Sequence, residues 1–130
     1  MTLRQYQALA DFRYELRRFL RHSEQLSLHH GLTPLQYQLL LQIKGYPVRG
    51  RATISGLAER LQAKHHGVVA LATRCEKIGL IRRRSSTDDR RVVHLILSAK
   101  GQLMLERLAR LHRGELRALR RRFPSKSDLR

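Results

Sequence analysis

The sequence predicts a mainly α chain with one small β-hairpin, folded as a single domain. Three observations predict this. Apolar residues recur at helical spacing in five separate segments, two short β-prone runs flank a stretch of turn chemistry, and 130 residues suffice for one hydrophobic core but not for two. The apolar fraction of 42% is that of an ordinary globular protein, so the chain has the material to fold.

The first helix is marked by Tyr6, Leu9, Phe12, Leu16, Phe19 and Leu26, which follow one another at steps of three, four or seven with arginines and glutamates between them. His29-His30-Gly31 ends it. Thr33-Pro34-Leu35-Gln36 then combines a capping box with proline at the first helical position, the signature of a second helix. Its expected buried face is Leu35, Leu39, Leu40 and Ile43, and Gly45 followed by Tyr46-Pro47 stops it. Residues 45–51, with their glycine and proline breaks and with Arg49 and Arg51, read as an exposed basic loop.

Ile54, Leu57, Ala58 and Leu61 are spaced i, i+3, i+4, i+7, which predicts a short third helix capped by Thr53 or Ser55. Gln62-Ala63-Lys64 is a tight connector. Val68, Leu71, Ala72, Cys75 and Ile78 then line one face of a fourth helix over 65–78, closed by Gly79. Two short helices joined by so few residues form a helix-turn-helix pattern. Leu80-Ile81-Arg82-Arg83-Arg84 and residues 92–97 are β-prone, and Ser85-Ser86-Thr87-Asp88-Asp89-Arg90 between them is turn chemistry, so a hairpin follows. Its second strand should turn Val93, Leu95 and Leu97 to the core and Val92, His94 and Ile96 outward. Ser98 caps a last long helix bearing Met104, Leu105, Leu108, Leu111, Leu116, Leu119 and Phe123, a stripe wider than one neighbouring helix requires.

The charge narrows the function. Twenty-seven Lys and Arg against 10 Asp and Glu give a formal +17, which self-repels unless a polyanion or counter-ions are present and therefore points to nucleic acid or to an anionic membrane surface. The longest apolar runs are a few residues, far short of the roughly twenty that span a bilayer. No apolar signal core follows Arg4, and an intracellular, reducing location is expected. The single cysteine, Cys75, sits on the apolar face of the fourth helix, which favours a packed thiol over an oxidant sensor. His22, His29, His30 and His112 match no ligand spacing, and neither C-x-x-C nor H-E-x-x-H occurs, so neither metal nor cofactor is expected. Paired acids, a nucleophile with its base and a glycine-rich phosphate loop are all missing, which argues against an enzyme.

A helix-turn-helix followed by a basic hairpin is a winged helix. The stretch Ile54-Ser55-Gly56-Leu57-Ala58-Glu59-Arg60-Leu61, the run Ile78-Gly79-Leu80-Ile81-Arg82-Arg83, then Asp88-Asp89-Arg90-Arg91 and Leu97-Ser98-Ala99-Lys100-Gly101 resemble the MarR family of bacterial regulators, as does Leu32-Thr33-Pro34-Leu35-Gln36-Tyr37. The resemblance implies one domain over residues 1–130, with a winged helix-turn-helix lobe at about 33–98 and long dimerisation helices at 1–30 and 99–123. It implies a homodimer on successive turns of duplex DNA, a small anionic or phenolic effector between the dimer helices and the lobe, and a cytoplasmic, nucleoid-associated bacterial protein. Pro124-Ser125-Lys126-Ser127-Asp128 resembles the start of the family's further dimerisation helix. Lys64 stands where the family carries a hydroxyl cap, so the fourth helix must satisfy its first N–H groups otherwise, for instance with a DNA phosphate.

The candidate DNA-contacting residues follow. Opposite the buried face of the fourth helix lie His65, His66, Val69, Ala70, Thr73, Arg74 and Lys77, a mix of small apolar groups that suit thymine methyls and donors that suit base edges or phosphates. Asp89-x-Arg91 resembles the family arrangement in which the acid positions a basic side chain and an arginine, here Arg91 or Arg90, enters the narrow minor groove. Arg82 and Arg84, with Arg83 between them, lead into the wing, while Thr33, Arg49, Arg51 and Lys64 stand at helix starts or loops suited to backbone phosphates. Tyr14, Arg18 and Tyr37 are the candidates for an effector pocket. A winged helix used as an architectural or protein-binding module, coating DNA with little sequence preference, is the competing reading.

Overall fold

The computed structural model describes residues 1–114 together with Arg117 and Arg121. The elements are α1 (Leu3–His29), α2 (Pro34–Lys44), α3 (Ile54–Leu61), α4 (His65–Lys77), β1 (Ile81–Ser85), β2 (Val93–Leu97) and α5 (Ala99–Leu111), the mainly helical chain with one hairpin that the patterning predicts. Leu116, Leu119, Phe123 and the segment 124–128 lie outside the described residues.

Local chemistry sets most helix ends. Thr2 with Gln5 and Thr33 with Gln36 form reciprocal capping boxes, and the Thr53 and Ser98 hydroxyls accept from the N–H groups of Gly56 and Gly101. Thr53, not Ser55, therefore caps α3. Lys64 gives α4 no side-chain cap, as its chemistry predicts. Gln62 closes α3 in the left-handed conformation (φ 51), and its Nε2 donates to the Glu59 carbonyl at 2.7 Å.

Helix α2 is the hub, packing against α1, α3, α4, α5 and β2. Leu39, Leu40, Leu57, Ala72, Cys75 and Leu95 are fully buried around it. Strand β1 pairs antiparallel with β2 from Ile81↔Leu97 to Ser85↔Val93, and Ala52 adds a short third edge, its carbonyl accepting from Leu95 N–H at 2.8 Å. Gly101 presses directly on the Leu80 carbonyl, so that α5 starts flush against the hairpin. The Ser98 hydroxyl donates to the Gly79 carbonyl at the same joint.

Several side chains depart from the pattern. Ile78 is 44% exposed, because α4 ends at Lys77 and a Schellman closure follows: Gly79 N–H bonds to the Glu76 carbonyl and Leu80 N–H to that of Cys75. Leu80 takes the core place instead. Leu35 is 58% exposed, since the first turn of α2 borders an open groove shared with Leu20 and Leu61, and Tyr37 is buried in its stead. Val93 lies exposed opposite Ser85, beyond the last core residue of its strand, Leu95. His94 is buried, not outward, because the loop leading to Ala52 covers that face of the hairpin. The apolar stripe of α1 is uncovered only toward its N-terminus: Tyr6 and Leu9 are exposed, Phe12, Leu16, Phe19 and Leu26 are half-buried, and Ser23 and Ser27 are the buried residues of this helix. No helix among the described residues is long and apolar enough to cross a membrane.

Candidate nucleic-acid interface

Helix α4 buries Val68, Leu71, Ala72 and Cys75 and leaves His65, His66, Val69, Ala70, Thr73, Arg74 and Lys77 exposed along its other side. The spacing that seats the inner face thus presents the outer one as a continuous strip. Lys64 is exposed at its start, where the uncapped N–H groups and the positive end of the helix dipole face solvent.

The hairpin is fastened to this helix by Arg83. Its Nη2 donates to Thr73 Oγ1 at 3.3 Å, and its Nε lies 3.4 Å from a Glu76 carboxylate oxygen. Sequence reasoning does not separate Arg83 from its two neighbours. The signal is nonetheless present: alternation along β1 puts Arg83 on the face of Ile81 and Leu95, toward α4, and sends Arg82 and Arg84 to the other face.

At the wing tip, Val92 N–H bonds to the Asp89 carbonyl at 3.0 Å, closing a turn with Arg90 and Arg91 at its centre. The Asp89 carboxylate accepts from the Arg91 backbone N–H at 3.0 Å and from its guanidinium at 3.3 Å. The Arg91 side chain is 92% exposed, so this pair adds less than about 1 kcal/mol to stability and acts to shape the tip. Arg51 approaches Asp88 at 3.9 Å, bringing the 45–51 loop beside the wing. Residues 64–91 carry eight Lys and Arg against three acids, and all three acids, Glu76, Asp88 and Asp89, are engaged by arginines. The surface is therefore cationic throughout. Thr33 stands apart at the start of α2, with its hydroxyl engaged in the capping box.

The remaining candidates resolve as follows. Cys75 is fully buried, and burial pushes its thiol above the ordinary value while the neighbouring Arg74 pulls the other way, so it stays protonated and poorly reactive at neutral pH. His29 and His30 stack edge to face at 5.3 Å, and among the described residues no three His, Cys, Asp or Glu gather as a metal site. His112 is buried between helices: Nδ1 meets the Leu108 carbonyl at 2.6 Å, Nε2 lies 2.9 Å from Ser23 Oγ, and its ring stacks on Tyr37 at 5.0 Å. Beside it a cavity of about 570 Å³ opens between α1, α2 and α5, bordered by Phe19, Leu20, Tyr37, Leu41, Arg110 and Arg113. Tyr14 and Arg18 do not border it. They pair with each other on exposed α1, the guanidinium 5.7 Å from the ring centre.

Known proteins share both the sequence and the fold. Residues 30–92 match the model of the MarR family. The chain is 37% identical over 76 residues to the HTH-type transcriptional repressor MdtR of Bacillus subtilis, a match spanning 58% of this chain and 47%, about half, of that protein. A crystallised MarR family transcription regulator superposes with a TM-score of 0.75 at 25% identity, over 97% of this chain and 81% of the other. A mutant of Staphylococcus aureus MepR bound to an oligodeoxyribonucleotide aligns with a TM-score of 0.69 at 21% identity, over 95% and 86%. AbsC of Streptomyces coelicolor does so with 0.73 at 24%, over 99% and 86%. Together with the helix-turn-helix and its arginine wing, these matches show that the chain resembles the MarR family in sequence and in fold.

Proposed function

We propose that the protein is a sequence-specific, double-stranded-DNA-binding transcriptional regulator, a repressor, that works as a homodimer on a pseudopalindromic operator. The observation that carries this is the exposed strip on α4, small and apolar at Val69 and Ala70 and cationic at Arg74 and Lys77, held at a fixed angle to an arginine wing by Arg83. In this reading His65, His66, Val69, Ala70, Thr73, Arg74 and Lys77 meet the major groove. Arg91 or Arg90, shaped by Asp89, enters the minor groove. Arg51, Arg82, Arg84, Thr33 and the Lys64 helix start grip backbone phosphates.

Support comes from two relatives: MdtR is a transcriptional repressor, and the MepR mutant is bound to an oligodeoxyribonucleotide. The exposed apolar residues of α1 suit a partner copy, and in this reading about residues 1–30 and 99–123 serve the dimer and about 33–98 the DNA-binding lobe. The cavity beside Tyr37, apolar within and bordered by Arg110 and Arg113 against the one carboxylate of Glu106, suits a small anionic or phenolic effector that relieves binding. The reading needs no cofactor and places the protein at the bacterial nucleoid in the cytoplasm.

The test is a binding titration on DNA recovered by genome-wide selection and on scrambled DNA. Half-sites about ten base pairs apart are expected. Arg91→Ala should weaken operator binding by about 1–3 kcal/mol, whereas Arg51→Ala should weaken all sequences alike. Unchanged binding by the Arg91 variant would remove the wing from the mechanism. A +17 chain binds DNA of any sequence to some degree, so an operator-to-random ratio near one would instead favour an architectural coat, and a ratio above roughly a thousand the regulator.

A further inference from the structure

We infer that the hairpin face turned away from α4 carries a phosphate-binding pocket built by Arg49, Arg51, Arg84 and His94. The pocket encloses about 330 Å³, and Ser85 and Thr87 complete its polar rim. A water occupies about 30 Å³ of bulk liquid, so there is room for a tetrahedral oxyanion with part of its hydration shell.

His94 supplies the decisive observation. Its side chain borders the pocket, the residue is only 8% exposed, and it has no hydrogen-bond, ion-pair or ring partner among the described residues. A buried polar ring without a partner costs the full loss of its hydration, and native structures seldom leave one so. Either tautomer carries an N–H to donate. Three guanidiniums border the same space, each able to offer paired N–H donors to an oxyanion.

The backbone also keeps the space open. Gly50 has φ +74, and a Cβ there would stand 3.3 Å from Arg84 Nη2, so any side chain would be strained and would crowd that guanidinium. No carboxylate borders the pocket; Asp88 reaches it only through its 3.9 Å approach to exposed Arg51. Among the described residues the imidazole of His94 is the one ring that lines it and no aliphatic side chain does, which disfavours the phenolic class suited to the Tyr37 cavity. Three fixed positive charges with hydroxyls and an N–H suit a compact tetrahedral oxyanion, and phosphate is that chemistry. Its source is either a free phosphate or phosphomonoester, or a backbone phosphate of bound DNA. Only the second rests on the DNA-binding reading.

Two arms on the full chain separate the sources. In the first, inorganic phosphate is titrated at constant ionic strength while the His94 ring resonances are followed. Saturable shifts are expected, with affinity reduced at least tenfold in Arg49→Ala and in His94→Gln. In the second, operator binding is measured against salt: a backbone phosphate in the pocket lowers the slope of log K on log salt by about 0.9 in Arg49→Ala. Either result upholds the pocket and names its source. If phosphate produces no saturable shift, or one that the variants leave undiminished, and the Arg49→Ala slope equals that of the unsubstituted protein, the pocket is refuted. Should His94→Gln melt early, Arg49→Ala on the exposed loop decides alone. Loss of operator preference with phosphate binding intact would overturn the DNA-binding reading and leave the pocket standing.

Discussion

At Gly101 a Cβ would collide with the Leu80 carbonyl oxygen and come within 3.0 Å of its carbon, and backbone atoms at the head of β1 cannot swing aside as a side chain can. Overpacking of this kind costs about 1–3 kcal/mol. Gly101→Ala should therefore lower the unfolding free energy by that much, read as a lower urea midpoint with little change in m-value, and an unaltered midpoint would mean that α5 does not rest on the hairpin as described. In the sequence, Ser98 and Gly101 are legible as a cap and as part of a family motif. Their common reason is not legible there: one hydroxyl that both caps α5 and ties it to Gly79, beside one glycine that lets the helix touch the strand. His94 is the converse case. Alternation correctly assigns it to the face opposite Leu95, but sequence spacing says nothing about what covers that face, and the loop that does so is anchored by a single bridge at Ala52.

Elements with caps and breaks were the most legible, because a threonine or serine hydroxyl, a proline or a glycine acts within one turn of itself. Thus Thr33-Pro34 and Ser98 mark their helix starts directly. The angle between elements is a different matter, set by contacts such as those from Arg83 to Thr73 and Glu76. The side chains of that ion pair are 36% and 42% exposed, so its loss should cost less than about 1 kcal/mol of global stability. Its effect should fall on local opening. Arg83→Ala is expected to speed amide hydrogen exchange within the 81–97 hairpin, while Arg82→Ala, on the opposite face, leaves exchange there as it was. Equal exchange in both variants would show that the helix and wing hold their angle without this clasp.

For the whole molecule, the +17 charge points to a polyanionic partner in the sequence itself, whereas the exposure of the first turns of the α1 stripe is seen only in the fold. Periodicity reveals that Tyr6 and Leu9 share a helix face with Phe12 and Leu16, but not which surface receives them. Among the described residues Leu3, Tyr6, Leu9 and, on α5, Leu103 and Leu111 all remain exposed. A second copy can cover them and set two α4 helices on one operator. Sedimentation should then give twice the 15.2 kDa chain mass, and Leu9→Glu, which buries a charge in the joined surface but disturbs nothing inside one chain, should shift the protein to monomer. Without the second lobe held nearby, operator affinity should fall by about 10²–10⁴-fold while binding to random DNA falls far less. A Leu9→Glu protein that remains dimeric with full operator affinity would place the dimer contact elsewhere, and a monomeric parent chain that still discriminates operator from random DNA would remove the need for one.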